Sequence, residues 1–128
     1  MTAQQFDEWV ARAEEDYRAV LALDPTDLPA IVCCHAQQCA EKYLKAMLVL
    51  HGEEPPRVHD LIELSDWVEK VEPCIGEVSE HLHELTPYSV SVRYPGMHVT
   101  PEDAKIAREV VTDLRAHLRK LLVLERPT

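Results

Sequence analysis

Apolar residues recur at steps of three and four along most of the chain, the spacing of one face of an α-helix. The first such segment extends from about Ala3 to Leu23. Its apolar positions are Phe6, Val10, Ala13, Tyr17, Val20 and Leu21. Pro25 follows closely, and proline disfavours helical geometry in the residue before it, so we predict that this helix ends near Asp24.

A second helix is predicted to begin near Leu28, with Asp27 as its N-cap and Pro29 in its first turn. It should end at His51 and Gly52, since glycine is the usual residue after a helix C-terminus. Between Ile31 and Leu50 its apolar side chains cover about 200° of the helical wheel, whereas a surface helix needs a stripe of roughly 100°. We therefore predict that this long helix lies at the centre of a bundle or in a dimer interface.

Three more helices are predicted towards the C-terminus. Asp60 with Glu63 resembles a capping box that opens a third helix, extending to about Val71. A fourth should extend from Pro73 to about Leu85, where Thr86-Pro87 closes or kinks it. We expect residues 88–99 to form an ordered loop.

Thr100 followed by Pro101 and two acidic residues predicts the start of the last helix, which continues to about Leu124. The pattern as a whole predicts one all-α domain over residues 1–128. We expect an up-and-down bundle of four long helices plus one shorter helix. A 46% share of hydrophobic residues with only three glycines agrees with helices better than with a turn-rich β-fold.

The net charge of −10 argues against general binding to a phosphate backbone, so no DNA partner is expected. The acidic excess lies in residues 1–30 and 61–99, while residues 31–60 and 100–128 are close to neutral. The chain contains no apolar run of about 20 residues and no signal-peptide pattern, so we expect a cytoplasmic protein without a membrane partner. Four cysteines, three of them in the second helix, do not resemble a secreted disulfide framework.

The polar side of the second helix carries four residues at spacings of three, four and three: His35, Gln38, Lys42 and Lys45. We call this row the polar ridge. Two interpretations remain open. It is either a solvated face, with Glu41 and Lys45 as an ordinary i,i+4 pair, or the wall of a cleft where lysines meet phosphate.

Gln37 lies inside the apolar arc, so we expect its amide to bond a neighbouring helix end or loop carbonyl. The acidic run Glu14-Glu15-Asp16 is expected to be a solvated face. His35 and Cys39 have a spacing that can chelate zinc, but no second ligand pair accompanies them. We therefore expect neither a metal nor another cofactor.

Three short strings occur in order along the chain: CHAQQCAEKYLKA over residues 34–46, His59-Asp60-Leu61, and Arg93-Tyr94-Pro95. Together they resemble the signature helix, the HDL step and the RYP step of HEPN domains (higher eukaryotes and prokaryotes nucleotide-binding). The resemblance covers nearly the whole chain.

The resemblance implies an up-and-down helical bundle, a homodimer and a minimal nucleotidyltransferase as partner, often in a toxin–antitoxin pair. Within such a pair we expect the polar ridge to bind a nucleotide or an RNA phosphate. His59, Arg93 and Tyr94 would contribute to the same site.

An alternative function is that of a metal-independent endoribonuclease toxin. The ribonuclease branch of the family has an arginine, four to six residues, and then a histidine, which Arg93 and His98 match. The sequence departs from that branch in having Thr100 where a tyrosine often stands, and Pro95-Gly96 inside a motif that is usually helical. A non-catalytic dimeric scaffold is the third possibility.

Overall fold

The computed structural model describes residues 2–89, 96 and 98–124, and within these residues it consists of helices without a strand. Five α-helices follow in the order α1 (Ala3–Ala22), α2 (Pro29–Leu50), α3 (Leu61–Glu69), α4 (Ser79–Leu85) and α5 (Pro101–Leu121). Short 3-10 helices cover Pro73–Val78 and Thr86–Tyr88. The all-α bundle expected from the sequence is confirmed.

Helix α2 lies at the centre of the bundle and contacts α1, α3, α4 and α5. Most of its circumference is buried, as its wide apolar arc predicted. Tyr43, Leu44, Met47 and Leu48 are among the largest fully buried side chains of the core. The ends of the helix are more open to solvent, since Ile31 and Leu50 remain about half exposed. The central position fixes the polar side of α2 against its neighbours.

Local sequence signals set several of the helix ends. The Thr100 hydroxyl accepts a hydrogen bond from the backbone of Asp103, whose carboxylate accepts one from the Thr100 N–H, so the predicted start of α5 is confirmed. The Asp60 carboxylate caps α3 by accepting from two backbone N–H groups. Gly52 has a φ of +79° just after α2, a conformation that glycine adopts without strain.

Two predicted boundaries are wrong. The N-cap of α2 is Leu28 and not Asp27. The backbone N–H groups of Asp27 and Leu28 both donate to the Asp24 carbonyl, so Asp27 belongs to the preceding turn. The expected fourth helix is split, since its first part is a 3-10 helix and α4 begins only at Ser79. Gly76 lies in that first part, and glycine has a low helix propensity.

None of the helices in the described part of the chain is both long and apolar enough to cross a membrane. Of the loop expected at residues 88–99, residues 90–95 and 97 lie outside the described residues.

Candidate functional site

The first half of the polar ridge is held by an acidic residue from α1. Asp16 lies between His35 and Lys42, with one carboxylate oxygen 2.8 Å from the His35 Nδ1 and the other 2.5 Å from the Lys42 Nζ. Asp16 is only 5% exposed, so the expectation that the acidic run of α1 is a solvated face is wrong for this residue. A single buried carboxylate therefore orients two members of the ridge.

The second half of the ridge has its own carboxylate, on α2 itself. One oxygen of Glu41 is 3.1 Å from the Lys45 Nζ and 3.1 Å from the His59 Nδ1. Glu41 and Lys45 are 7% and 5% exposed, so the interpretation of this half as a solvated face is also wrong. The structure thus places His59 beside the ridge.

Gln37 fixes the loop that carries His59. Its amide is buried and donates a 2.8 Å hydrogen bond to the His59 carbonyl oxygen. The same amide nitrogen lies 3.5 Å from a Glu41 oxygen. The prediction that Gln37 bonds a loop carbonyl is confirmed, and its role is to hold the loop against α2.

The ridge does not present a surplus of positive charge. Lys42 is paired with Asp16 and Lys45 with Glu41, while Gln38 donates to the Cys34 sulfur at 3.2 Å. The side chains of His35 and Lys42 are partly open to solvent, at 32% and 26%. Consequently, an anion that reaches the ridge from solvent meets these two first and competes with Asp16 for them.

Sequence reasoning missed an aromatic cleft beside the ridge. Two adjoining hollows, which we call the Trp9 cleft, share Gln5 and Trp9 of α1. The first, of about 400 Å³, is otherwise lined by Glu8, Arg12 and Lys42. The second, of about 300 Å³, is otherwise lined by Lys45, Val49, Glu54, Pro55, Pro56 and Arg57.

A signal for this cleft is present in the sequence of α1. Arg12 follows Trp9 by three residues and precedes Asp16 by four, so the three residues share one face of the helix. The sequence alone gives that face no function, because it lies beside the apolar face of α1 and a helical wheel does not show which element covers it. The face becomes informative only once α1 is seen to pack against the polar side of α2.

The residues predicted for catalysis and for binding are not all described. Arg93 and Tyr94 lie outside the described residues. His98 is exposed and precedes the Thr100 N-cap of α5, so it is not helical, as the sequence predicted.

A separate polar cluster ties α1, α2 and α5 together. The Tyr43 hydroxyl donates to a Glu14 oxygen at 2.6 Å, and the Arg115 Nε donates to the same oxygen at 2.7 Å. Arg119 donates to the Tyr43 hydroxyl at 3.0 Å. The Arg115 guanidinium also lies over the Tyr17 ring, 4.4 Å from its centroid. Burial raises the pKa of the Glu14 carboxyl, but the hydrogen bonds from Arg115 and Tyr43 outweigh burial and hold it below its usual value.

This cluster predicts that the free energy of unfolding depends on pH in the acidic range. A carboxyl whose pKa is lowered by folding contributes stability above its unfolded pKa and loses it as pH falls through the folded value. We therefore expect Glu14→Gln to flatten the fall in unfolding free energy between about pH 5 and pH 3. Urea unfolding at several pH values would measure this, with the exposed Glu15→Gln as the matched control. Equal slopes for wild type and Glu14→Gln would contradict it.

The four cysteines are free thiols. Burial raises the pKa of Cys33 to about 12, and burial raises that of Cys39 as well, so both stay protonated at neutral pH. Across the described ranges no group of three or more histidine, cysteine, aspartate or glutamate side chains could hold a metal ion.

Comparison with known proteins points to one family. The HEPN domain model matches residues 6–121, nearly the whole chain. TT1696 from Thermus thermophilus, known from a crystal structure, shares the fold with a TM-score of 0.76. The two sequences are 22% identical, over 91% of this chain and 97% of that chain. No curated protein matches the sequence.

Proposed function

The chain belongs to the HEPN domain family, and from this premise we propose that it binds a nucleotide or an RNA phosphate at the polar ridge. The observation that carries the proposal is the position of Lys42. Its side chain is partly exposed and lines the 400 Å³ hollow together with Arg12 and Trp9. Small-molecule sites in proteins have volumes of roughly 300–1,000 Å³, and this hollow falls within that range.

The charges of the ridge favour the binding of an anion with modest affinity. Asp16 already neutralises Lys42, so a phosphate gains less there than it would at an unpaired lysine. Arg12 lines the same hollow, is exposed and makes no ion pair within the part of the chain that the structure describes. Arginine and lysine together provide the donors that a phosphate needs.

The family also suggests the setting of this binding. We propose that the chain forms a homodimer and acts beside a minimal nucleotidyltransferase in a pair of the toxin–antitoxin type. Large apolar side chains that remain exposed, among them Leu21 and Ile106, offer area for such contacts.

The binding proposal is tested by isothermal titration with ATP, GTP and a short RNA. We expect Lys42→Gln to weaken binding by about 5- to 30-fold, in line with ~1–2 kcal/mol for a hydrogen bond to a charged group that must first leave Asp16. The exposed Lys105→Gln on α5 is the matched control and should bind like wild type. Lys45 is left intact, because its removal would leave Glu41 buried without its cation.

The same RNA separates this proposal from the two alternatives. Ribonuclease activity is favoured by one observation, the exposed imidazole of His98 at the spacing from Arg93 that the family's ribonucleases use. Cleavage in EDTA that is lost in His98→Ala would support that alternative. A chain that neither binds nor cleaves would be a scaffold, and the binding proposal would be wrong.

A further inference from the structure

We propose that the Trp9 indole is the platform on which the ligand's nucleobase stacks, while Arg12 and Lys42 receive its phosphate. This inference rests on the proposed function and assigns the two chemical halves of the ligand to the two hollows of the Trp9 cleft. The shared ligand chemistry is a base with an attached phosphate, whether in a free nucleotide or in a single strand of RNA.

The hollow that takes the base combines apolar with polar walls. Besides the indole, it is lined by Val49 and by Pro55-Pro56 of the loop after α2. An indole presents a flat apolar surface to a planar ring, the proline rings add apolar contact, and bases of any identity stack on aromatic side chains. Arg57 lines the same hollow and, like Arg12, makes no ion pair among the described residues, so it is available to the base edge or to a second phosphate.

Lys45 and Glu41 hold the platform in place. The Lys45 ammonium is 5.6 Å from the centroid of the Trp9 ring, a distance at which a cation and an aromatic ring attract each other. Because the same ammonium is bonded to buried Glu41, it is fixed relative to α2. The indole is therefore restrained before the ligand arrives, which lowers the entropy lost on binding.

Two cationic side chains line the hollow that takes the phosphate. Its side chains other than the shared pair are Glu8, Arg12 and Lys42. A second carboxylate, Glu54, lines the base hollow. A ligand whose base occupies this hollow therefore places its phosphate in the other one, where Arg12 and Lys42 are the cationic side chains. Since both hollows include Trp9 and Gln5, a single nucleotide can reach from one into the other.

Trp67 provides a matched control. It is the second tryptophan, lies on α3, and has the Lys70 ammonium 5.2 Å from its ring centroid. It therefore has the same residue type and the same type of cation contact as Trp9, but it lines neither hollow of the cleft. In Trp67→Phe, Trp9 is the sole source of indole fluorescence.

The test titrates Trp67→Phe with AMP, with a six-residue oligoadenylate and with ribose 5-phosphate, which has the phosphate but no base. We expect saturable quenching of Trp9 by both base-containing ligands and little by ribose 5-phosphate. By calorimetry, Trp9→Leu should bind AMP roughly 5- to 140-fold more weakly, the equivalent of ~1–3 kcal/mol per stacked base at 1.4 kcal/mol per tenfold. Trp9→Phe, which keeps a ring, should recover part of this loss and also serves if the leucine variant does not fold.

The outcomes separate this inference from the function it rests on. If Lys42→Gln weakens AMP binding while Trp9→Leu binds AMP as wild type does, the stacking inference is wrong and the binding function stands. Equal affinity of the wild type for AMP and ribose 5-phosphate would lead to the same conclusion. If none of the three ligands binds the wild type, both are wrong. Tighter binding of the oligoadenylate than of AMP, lost in Arg57→Gln, would support an RNA strand as the source of the base.

Discussion

Replacing Glu41 with alanine is expected to lower the free energy of unfolding by about 3–5 kcal/mol, the usual effect of removing one partner of a buried ion pair. Glu41 and Lys45 are 7% and 5% exposed, so the Lys45 ammonium would remain buried without its counter-charge. His59 and Gln37 would each lose a contact as well. Urea unfolding followed by circular dichroism measures the loss.

Two controls make this result specific. The exposed Glu109→Ala on α5 removes a carboxylate from the surface and should change stability by less than about 0.5 kcal/mol. Glu41→Ala combined with Lys45→Met removes both charges and should recover much of the loss, because no unpaired ammonium is left inside. A double variant as unstable as Glu41→Ala alone would show that the ion pair is not the cause.

Tyr43→Ala is expected to lower the free energy of unfolding by about 3–5 kcal/mol, the range found when a large buried aromatic side chain is deleted. Tyr43 is fully buried on α2, and its hydroxyl joins Glu14 of α1 to Arg119 of α5. The alanine variant removes both the ring from the core and the hydroxyl from the cluster. Chemical denaturation again gives the measurement.

Tyr43→Phe separates the two contributions. It keeps the ring and should cost about 1–3 kcal/mol, since Glu14 and Arg119 each lose a hydrogen-bond partner in a partly buried place. Tyr17→Phe is the matched control, because the Tyr17 hydroxyl bonds Thr112 in an exposed position, 3.2 Å away. If Tyr43→Phe lowered the free energy of unfolding no more than Tyr17→Phe does, the Tyr43 hydroxyl would contribute little to stability.

Much of the fold followed from periodicity and from helix-end signals. The wide apolar arc of α2 predicted its central place, and Thr100-Pro101 predicted the start of α5. Prediction was weaker at ends that no side chain caps, as at Leu28, and where a 3-10 helix replaces the first turns of an α-helix, as at Pro73–Val78. Such ends are decided by backbone hydrogen bonds, which leave little trace in residue type.

The site was predicted less completely, for a physical reason. A helical wheel shows that His35 and Lys42 share a face, but it does not show which neighbour covers that face. Asp16 is 19 residues before His35, and its pairing with both residues depends on how α1 packs on α2. The Trp9 cleft likewise combines residues of α1, α2 and the following loop. Gln37 did indicate its tertiary contact in advance, because an amide in an apolar arc needs a partner.

Each of the two carboxylates that are buried among the described residues has at least two partners, and this sharing constrains how homologous sequences can diverge. A substitution of Asp16 removes a contact from His35 and from Lys42 at once. Substitutions at these two positions are therefore coupled to the residue at position 16. Glu41 links Lys45 and His59 in the same way. Lineages that alter one member of such a trio are therefore under selection to alter the others, and the two trios should covary as separate groups among homologous sequences.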